Sequence, residues 1–234
     1  MSPNKDKEKL EAIRQIGEAI SSDLILKDIL GLIVQVTAKM MNTNICSLML
    51  IDEKKKELVL RATQSIDEAY NNKPNIKLGE GIAGKVAEEN KPRQVIDVTK
   101  DPLYKNKEIA KKCGLKSLLC VPLRAHGKVI GVINNYTKEQ HEFSKSEIDT
   151  LIAISSQAGL VISNSNLQEQ VDKTKEELQS RKIIEKAKWI LVKQQNISED
   201  KAFKLMQKES MDKRKPIKEI AEAVILVDEM RKKN

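Results

Sequence analysis

The residues of this 234-residue chain from which chemistry could be built are three cysteines, two histidines, a glycine cluster and a basic C-terminal stretch. Cys46, Cys113 and Cys120 include no CxxC pair, so spacing supports neither a disulfide framework nor a thiolate metal site. Cys113 follows Lys111 and Lys112, and positive neighbours lower a thiol pKa. A redox or chromophore-bearing thiol is therefore one reading of Cys113 and Cys120; buried structural thiols is the preferred one. His126 and His141 lack metal-ligand spacing and leave little for acid–base chemistry. Gly79, Gly81 and Gly84 would suit a phosphate cradle, but no Gly-Lys-Ser/Thr follows and no Rossmann strand precedes them, so they read as tight turns. The expectation is a non-enzyme with no metal and no cofactor.

Charge is the stronger signal. Residues 175–234 carry 16 Lys and Arg against 11 Asp and Glu, a surplus of +5 out of the total +8. Such a bias in a quarter of the chain favours a polyanionic partner through phosphate neutralisation; the alternative is an ordinary solvated lysine surface. The composition, 40% hydrophobic and 32% charged with 3% aromatic, describes a soluble fold with aliphatic cores. The N-terminus has no signal-peptide core and no apolar run reaches the ~18–20 residues of a membrane span, so the expected location is cytoplasmic.

The elements that must position these residues follow from periodicity. Leu10, Ile13, Ile16, Ile20 and Leu24 predict one helix, and Leu26, Ile29, Leu30, Ile33, Val36 and Met40 a second. From Asn44 the period shortens to two, predicting a strand to Asp52, a loop of Glu53 to Lys56, and a returning strand through Leu58, Leu60 and Ala62. Residues 65–77 read as loop, Leu78 to Gly84 as leading into a short helix that ends near Asn90, Gln94 to Val98 as a strand, and 99–116 as a loop with a short helix ending at Gly114. Ser117–Ala125 and Val129–Tyr136 form a hairpin about His126-Gly127-Lys128, with Pro122 marking an edge or bulge. Ser144 and Glu147 form a capping box that opens a long helix. Along it Leu160, Leu167, Val171 and Leu178 fit heptad core positions, interrupted by Asn164 and Thr174, which suggests pairing with a second copy. The alternative is a lone solvated helix. Past Arg181 three helices are predicted: one with Ile183, Ile184, Ala187, Ile190 and Leu191, one capped by Ser198 that buries Ala202, Phe203, Leu205 and Met206, and one starting near Pro216.

The fold class is α+β: an antiparallel sheet flanked by helices, a helical connector with coiled-coil features, and a C-terminal three-helix unit. The stretches LGEGIAGKVAEENKPRQVIDV (78–98) and SLLCVPLRAHGKVIGVINNY (117–136), with the helix after Phe143-Ser144-Lys145-Ser146-Glu147, resemble a GAF domain over roughly residues 8–165. The segment RKIIEKAKWILVKQQNISEDKAFKLMQKESMDKRKPIKEIAEAVI (181–225) resembles the ANTAR domain of transcription antitermination regulators, with Trp189 where many members have a short residue. The expected domains are 1–165 (sensory), 160–182 (connector, overlapping both neighbours) and 175–234 (ANTAR). The resemblance implies a dimeric, ligand-gated antiterminator: the GAF domain senses a small molecule, and the ANTAR domain binds paired hairpins in nascent leader RNA and prevents terminator formation.

The candidate phosphate contacts are Arg181, Lys182, Lys186, Lys188, Lys193, Lys213, Arg214, Lys215 and Lys218, and Ser210 and Met211 either touch bases or close their helix. Arg181 and Lys188, two turns apart, share a face. The triplet Lys213-Arg214-Lys215 precedes the Pro216 helix, whose first amides also favour phosphate. Trp189 could stack on a loop base, although packing is the commoner role of a lone Trp. The resemblance places a sensory pocket between the sheet and the 78–116 excursions, with Leu48, Leu50, Ile82, Val98, Leu118, Cys120 and Ile133 as candidates; the competing reading is shared core. The cyclic-nucleotide pattern of such domains is only echoed by Asn134-Asn135, Phe143 and Glu147, so nucleotide binding is not expected. Two alternatives stand beside this reading: a ligand-regulated DNA-binding factor using the last two helices, disfavoured by a long glycine-free link from Ser210 to Lys215, and a GAF-type methionine sulfoxide reductase using Cys113 or Cys120.

Overall fold

A computed structural model describes residues 26–233, so the helix expected through Leu10 to Leu24 lies outside the described residues. Internal contacts divide the chain into Met1–Leu167 and Gln168–Asn234, taken in turn.

The first unit opens with α1, Leu26–Met41, which buries Ile29, Leu30, Ile33, Val34, Thr37, Ala38 and Met41 along one stripe. Asn42 ends it in the left-handed region (φ 49°), with the Thr43 amide reaching back to the Ala38 carbonyl at 3.0 Å, a helix-closing bond of the Schellman type. Six strands follow: β1 Ile45–Asp52, β2 Glu57–Thr63, β3 Ile76–Lys77, β4 Arg93–Val95, β5 Ser117–Ala125 and β6 Lys128–Thr137. They form one antiparallel sheet in the order β3-β2-β1-β6-β5-β4. The β5–β6 loop is two residues, His126 and Gly127, both with positive φ, the backbone twist that a tight hairpin requires.

Strand alternation divides the sheet into two cores. Cys46, Leu48, Leu119, Val121, Leu123 and Ile133 pack with α1 and with Leu151, Ile154, Ala158, Val161 and Ile162 of the later long helix. Residues one position out of step, including Met49, Leu118, Cys120 and Val132, pack beneath the excursions. Those excursions carry α2 (Glu68–Asn71), α3 (Gly81–Glu89) and α4 (Lys107–Lys112). The stretch expected to be loop at 65–77 thus holds a helical turn and a short strand, because Asp67 Oδ1 accepts the Ala69 amide at 2.8 Å and caps α2. Gly84 lies inside α3, not in a turn; a Cβ there would run into the Lys77 carbonyl. Beyond Cys120, β5 has no β4 partner. Pro122 lies in that stretch, and the Ser155 hydroxyl donates to its carbonyl at 2.7 Å.

The predicted capping box forms in both directions: Glu147 Oε2 accepts the Ser144 amide at 2.8 Å, and the Ser144 hydroxyl accepts the Glu147 amide at 3.3 Å. It starts α5, Lys145–Gln195, a single 51-residue helix. No separate helix begins past Arg181. No proline or glycine lies between Leu160 and Gln195, so nothing stops the helix before Asn196, which turns left-handed at φ 50°.

The second unit comprises the distal part of α5, α6 (Glu199–Lys213) and α7 (Ile217–Lys233). The Ser198 side chain caps α6 by accepting the Lys201 amide. The core is small: Ala187, Met206, Ile220 and Ala221 at its centre, with Ala202 fully buried as well. Phe203 and Leu205, expected to be core, are each 42% exposed. Ala187, Ala202 and Ala221 occupy the buried positions instead, and side chains that small let helix backbones approach closely, leaving no room there for a phenyl ring.

Candidate nucleic-acid interface and sensory cavity

Many of the predicted phosphate contacts are already engaged. Lys188, on α5, places Nζ 2.6 Å from Glu185 Oε2 and 3.0 Å from Glu199 Oε2, with its side chain only 16% exposed. Donating hydrogen bonds to these two carboxylates raises its pKa. It ties α5 to the start of α6 and does not offer a free cation. Lys186 pairs with Glu229 at 3.1 Å, Lys213 with Glu209 at 2.9 Å and Lys215 with Glu219 at 3.2 Å. These are solvent-exposed pairs of the kind that exchange readily for a phosphate. Arg181, Lys182, Arg214 and Lys218 have no ion pair among the described residues, and the first three are exposed.

Ser210 closes its helix: its hydroxyl donates to the Lys215 carbonyl, and its own carbonyl accepts the Lys215 amide. Met211 beside it is 68% exposed. Trp189 is 54% exposed with Lys193 Nζ 4.0 Å above its ring, so it is not core; an aromatic face carrying a cation suits an unstacked base. The α6–α7 link is only Arg214, Lys215 and Pro216, with Arg214 left-handed at φ 52°. This corrects the expected long link: a left-handed arginine supplies the tight turn that a glycine would normally supply, and link length no longer argues against a helix-turn-helix.

The seven predicted pocket residues do not share one face of the sheet. Leu48, Leu50 and Ile133 belong to the side packed on α1 and α5; Leu48 faces Ile133 across the β1–β6 register, so the two must point the same way. Ile82, Val98, Leu118 and Cys120 lie on the other side. Of these, Ile82 and Leu118 line a small cavity of about 20 Å³, room for about one water.

Polar groups that the sequence did not single out as ligands surround that cavity. Asn134 Nδ2 donates to Ser47 Oγ at 3.4 Å, and Ser47 Oγ shares a hydrogen bond with Tyr70 OH at 2.8 Å. Asn134 Oδ1 is buried without a partner among the described residues. Tyr104 OH donates to Tyr136 OH at 3.3 Å, and Tyr70 and Tyr104 both meet the Tyr136 ring edge-on. Lys73, 9% exposed, sets Nζ 4.1 Å from the Tyr70 ring centroid. Burial lowers its pKa to about 7 and pushes that of Tyr104 up to about 12. A second hollow, an open groove of about 950 Å³ beside Lys39, Asn44, His141 and Glu147, has charged, solvent-facing walls.

The GAF domain family model matches residues 24–163. The chain belongs to the GAF domain family. A second family model, the ANTAR domain, matches residues 172–225. The GAF part is 26% identical over 158 residues to the phosphoenolpyruvate-dependent phosphotransferase system protein of Escherichia coli, covering 68% of this chain and 21% of that protein. It is 29% identical over 153 residues to the methyl sulfide methyltransferase-associated sensor of Methanosarcina acetivorans, covering 63% and 15%. The chain thus spans about a fifth or less of the length of these curated relatives. Among solved structures, the GAF domain of the Acinetobacter phosphoenolpyruvate-protein phosphotransferase is similar at TM-score 0.59 and 26% identity, covering 71% of this chain and 97% of that one. Free methionine-R-sulfoxide reductase from Neisseria meningitidis, solved with its substrate, reaches TM-score 0.59 at 20% identity over 72% and 95%, a likeness of fold alone.

Reductase chemistry in this GAF unit would require a thiolate. Burial raises the pKa of Cys46, Cys113 and Cys120 alike, and the Asp67 carboxylate adds to it at Cys113. These are protonated, buried thiols. Among the described residues no cluster could hold a metal ion, and no helix is long and apolar enough to cross a membrane.

Proposed function

We propose that this chain is a signal-responsive transcription antitermination regulator, in which the GAF unit binds a small molecule and the ANTAR segment binds hairpins of nascent leader RNA. The observation that carries this reading is the occurrence on one chain of a GAF fold and an ANTAR match, with Arg181, Lys182, Arg214 and Lys218 of the second outside any ion pair among the described residues. Arg181, Lys182, Arg214 and Lys218 are the primary phosphate contacts, Lys186, Lys213 and Lys215 join them by exchanging their carboxylate partners, and Trp189 with Lys193 stacks on a loop base. The likeness to a sensor protein of M. acetivorans supports the sensory half.

The working form is a homodimer. Leu160, Leu167, Val171 and Leu178 are 40–54% exposed at heptad positions of α5, and residues 168–179 are exposed all round the helix. A helix polar on every side needs a partner or many ion pairs, and a paired copy would cover those four side chains. The sensory domain runs to about residue 165, the connector through about 182, and the RNA-binding unit from about 175.

The short α6–α7 turn favours one competing reading, duplex DNA binding by these two helices. A salt titration of the full chain against tandem-hairpin RNA, duplex DNA and unstructured RNA decides between them. Hairpin preference persisting at physiological salt, and weakened by Arg181→Ala or Arg214→Ala, is the expected result. Base-specific duplex DNA binding would transfer the function to DNA, and equal salt-sensitive binding to all three would reduce the basic end to an electrostatic surface.

A further inference from the structure

The cavity beneath the excursions holds two uncompensated groups of opposite kind. Lys73 is nine-tenths buried with no carboxylate or hydrogen-bond acceptor among the described residues, and a buried unpaired cation is costly. Asn134, 1% exposed, lines the same cavity, and its amide oxygen is buried without a partner among the described residues. Both line the cavity together with Asn106 and with Lys105, whose charge is answered by Glu80; the remaining walls are apolar or aromatic. Unsatisfied buried groups of this kind lose stability unless something else meets them.

We infer that the GAF cavity binds a small α-hydroxycarboxylate, its carboxylate paired with Lys73 and its hydroxyl donating to Asn134 Oδ1. This rests on the sensory reading of the GAF unit and assigns its ligand class. One lysine balances one negative charge, so a monocarboxylate fits where a phosphate dianion would stay under-neutralised. The hydroxyl supplies a neutral donor; an amino acid would bring a second ammonium beside Lys73. The present space holds about one water, so the ligand enters as Lys73 and its connection, residues 72–75, draw back from the Tyr70 ring. Binding therefore changes the conformation of that connection, the differential interaction that a signal requires.

The titratable groups around Lys73 leave it as the one that changes charge near neutrality. Tyr70, Tyr104, Tyr136, Cys113 and Cys120 all have raised pKa values and stay neutral there. Lys105 is paired with Glu80 at 2.7 Å, and Asp67 is engaged at the α2 cap and with the Cys113 thiol. A carboxylate seated on Lys73 favours the ammonium, so binding at pH 8 takes up a proton.

The test is calorimetry of the full chain, without RNA, using L-lactate, propionate and lactamide as probes in two buffers of different ionisation enthalpy. Lactate should bind at least tenfold more tightly than propionate, which lacks the donor, or lactamide, which lacks the charge. Its binding at pH 8 should take up most of one proton. Lys73→Met should remove both the advantage over lactamide and the proton uptake, and Asn134→Leu the advantage over propionate alone. Equal or absent binding of the three probes, or lactate binding without proton uptake by the wild-type chain, overturns the inference even if neither variant folds. Hairpin binding is measured separately: a chain that binds hairpin RNA but ignores lactate sinks this inference alone, and the converse sinks the RNA reading alone.

Discussion

Lys73 is a buried ammonium with no described carboxylate to answer it, and its pH behaviour follows from that. Its folded pKa is depressed to about 7 from 10.5. Between these values the unfolded chain binds the proton that the folded chain has released, so stability rises with pH in that window and is flat below it. Raised cysteine pKa values act in the opposite sense above about pH 9, which leaves pH 7 to 8.5 as the clean interval. Denaturant titrations of the wild-type chain should show stability climbing there by an amount on the order of 1–2 kcal/mol, and Lys73→Met should flatten the climb; a wild-type curve already flat would show that Lys73 is not buried as a cation. At the RNA face, Arg181→Ala or Arg214→Ala should each lower the slope of log affinity against log salt by about 0.7–0.9, one phosphate contact. Lys188→Ala should leave that slope alone and instead lower the thermal midpoint, because Lys188 spends its charge on Glu185 and Glu199.

At the level of elements, close approaches and small cores decide what is fragile. Gly159 of α5 sits where a Cβ would collide with the Arg124 carbonyl of β5. Gly159→Ala should therefore cost about 1–3 kcal/mol, read as a lower denaturation midpoint of the GAF unit. Met206, 1% exposed, is a large and deeply buried side chain at the centre of the second core, and Met206→Ala should cost about 2–5 kcal/mol. In a unit with so little else buried, that is enough to lose hairpin binding and α6–α7 helicity together. These elements were legible in the sequence to unequal degrees. The capping box at Ser144, the hairpin at Gly127 and the helix end at Asn90 are local devices, and a local pattern suffices to find them. Strand parity is what divides the pocket candidates between the two faces: alternation groups Leu48 with Leu50 but does not say which face meets the excursions. Phe203 and Leu205 depart from the expected core because α6 is apolar on more than one side, and only the close approach allowed by Ala187, Ala202 and Ala221 selects the buried one. Nothing near Lys73 in sequence announces that a lysine before a proline will be buried; the Asn134-Asn135 pair inside an apolar strand was the one visible hint of a polar site.

For the whole molecule, pairing of α5 is the consequential proposal. Val171→Glu with Leu178→Glu should yield monomers by analytical ultracentrifugation while circular dichroism keeps the helical content. The same variant should lose its preference for two linked hairpins over one, because that preference is an effective-concentration gain available only to a two-headed binder. A dimer that survives both charges would move the interface elsewhere. The sheet itself is poorly suited to that role. Where β5 runs past its short neighbour, the strand that a second chain could extend meets Pro122, which has no N–H to offer, and the Ser155 hydroxyl already holds the proline's carbonyl. That stretch of β5 is thus closed to strand addition by one missing donor and one occupied acceptor. Copies that pair through α5, as proposed, would find no template for sheet fusion along this stretch of β5.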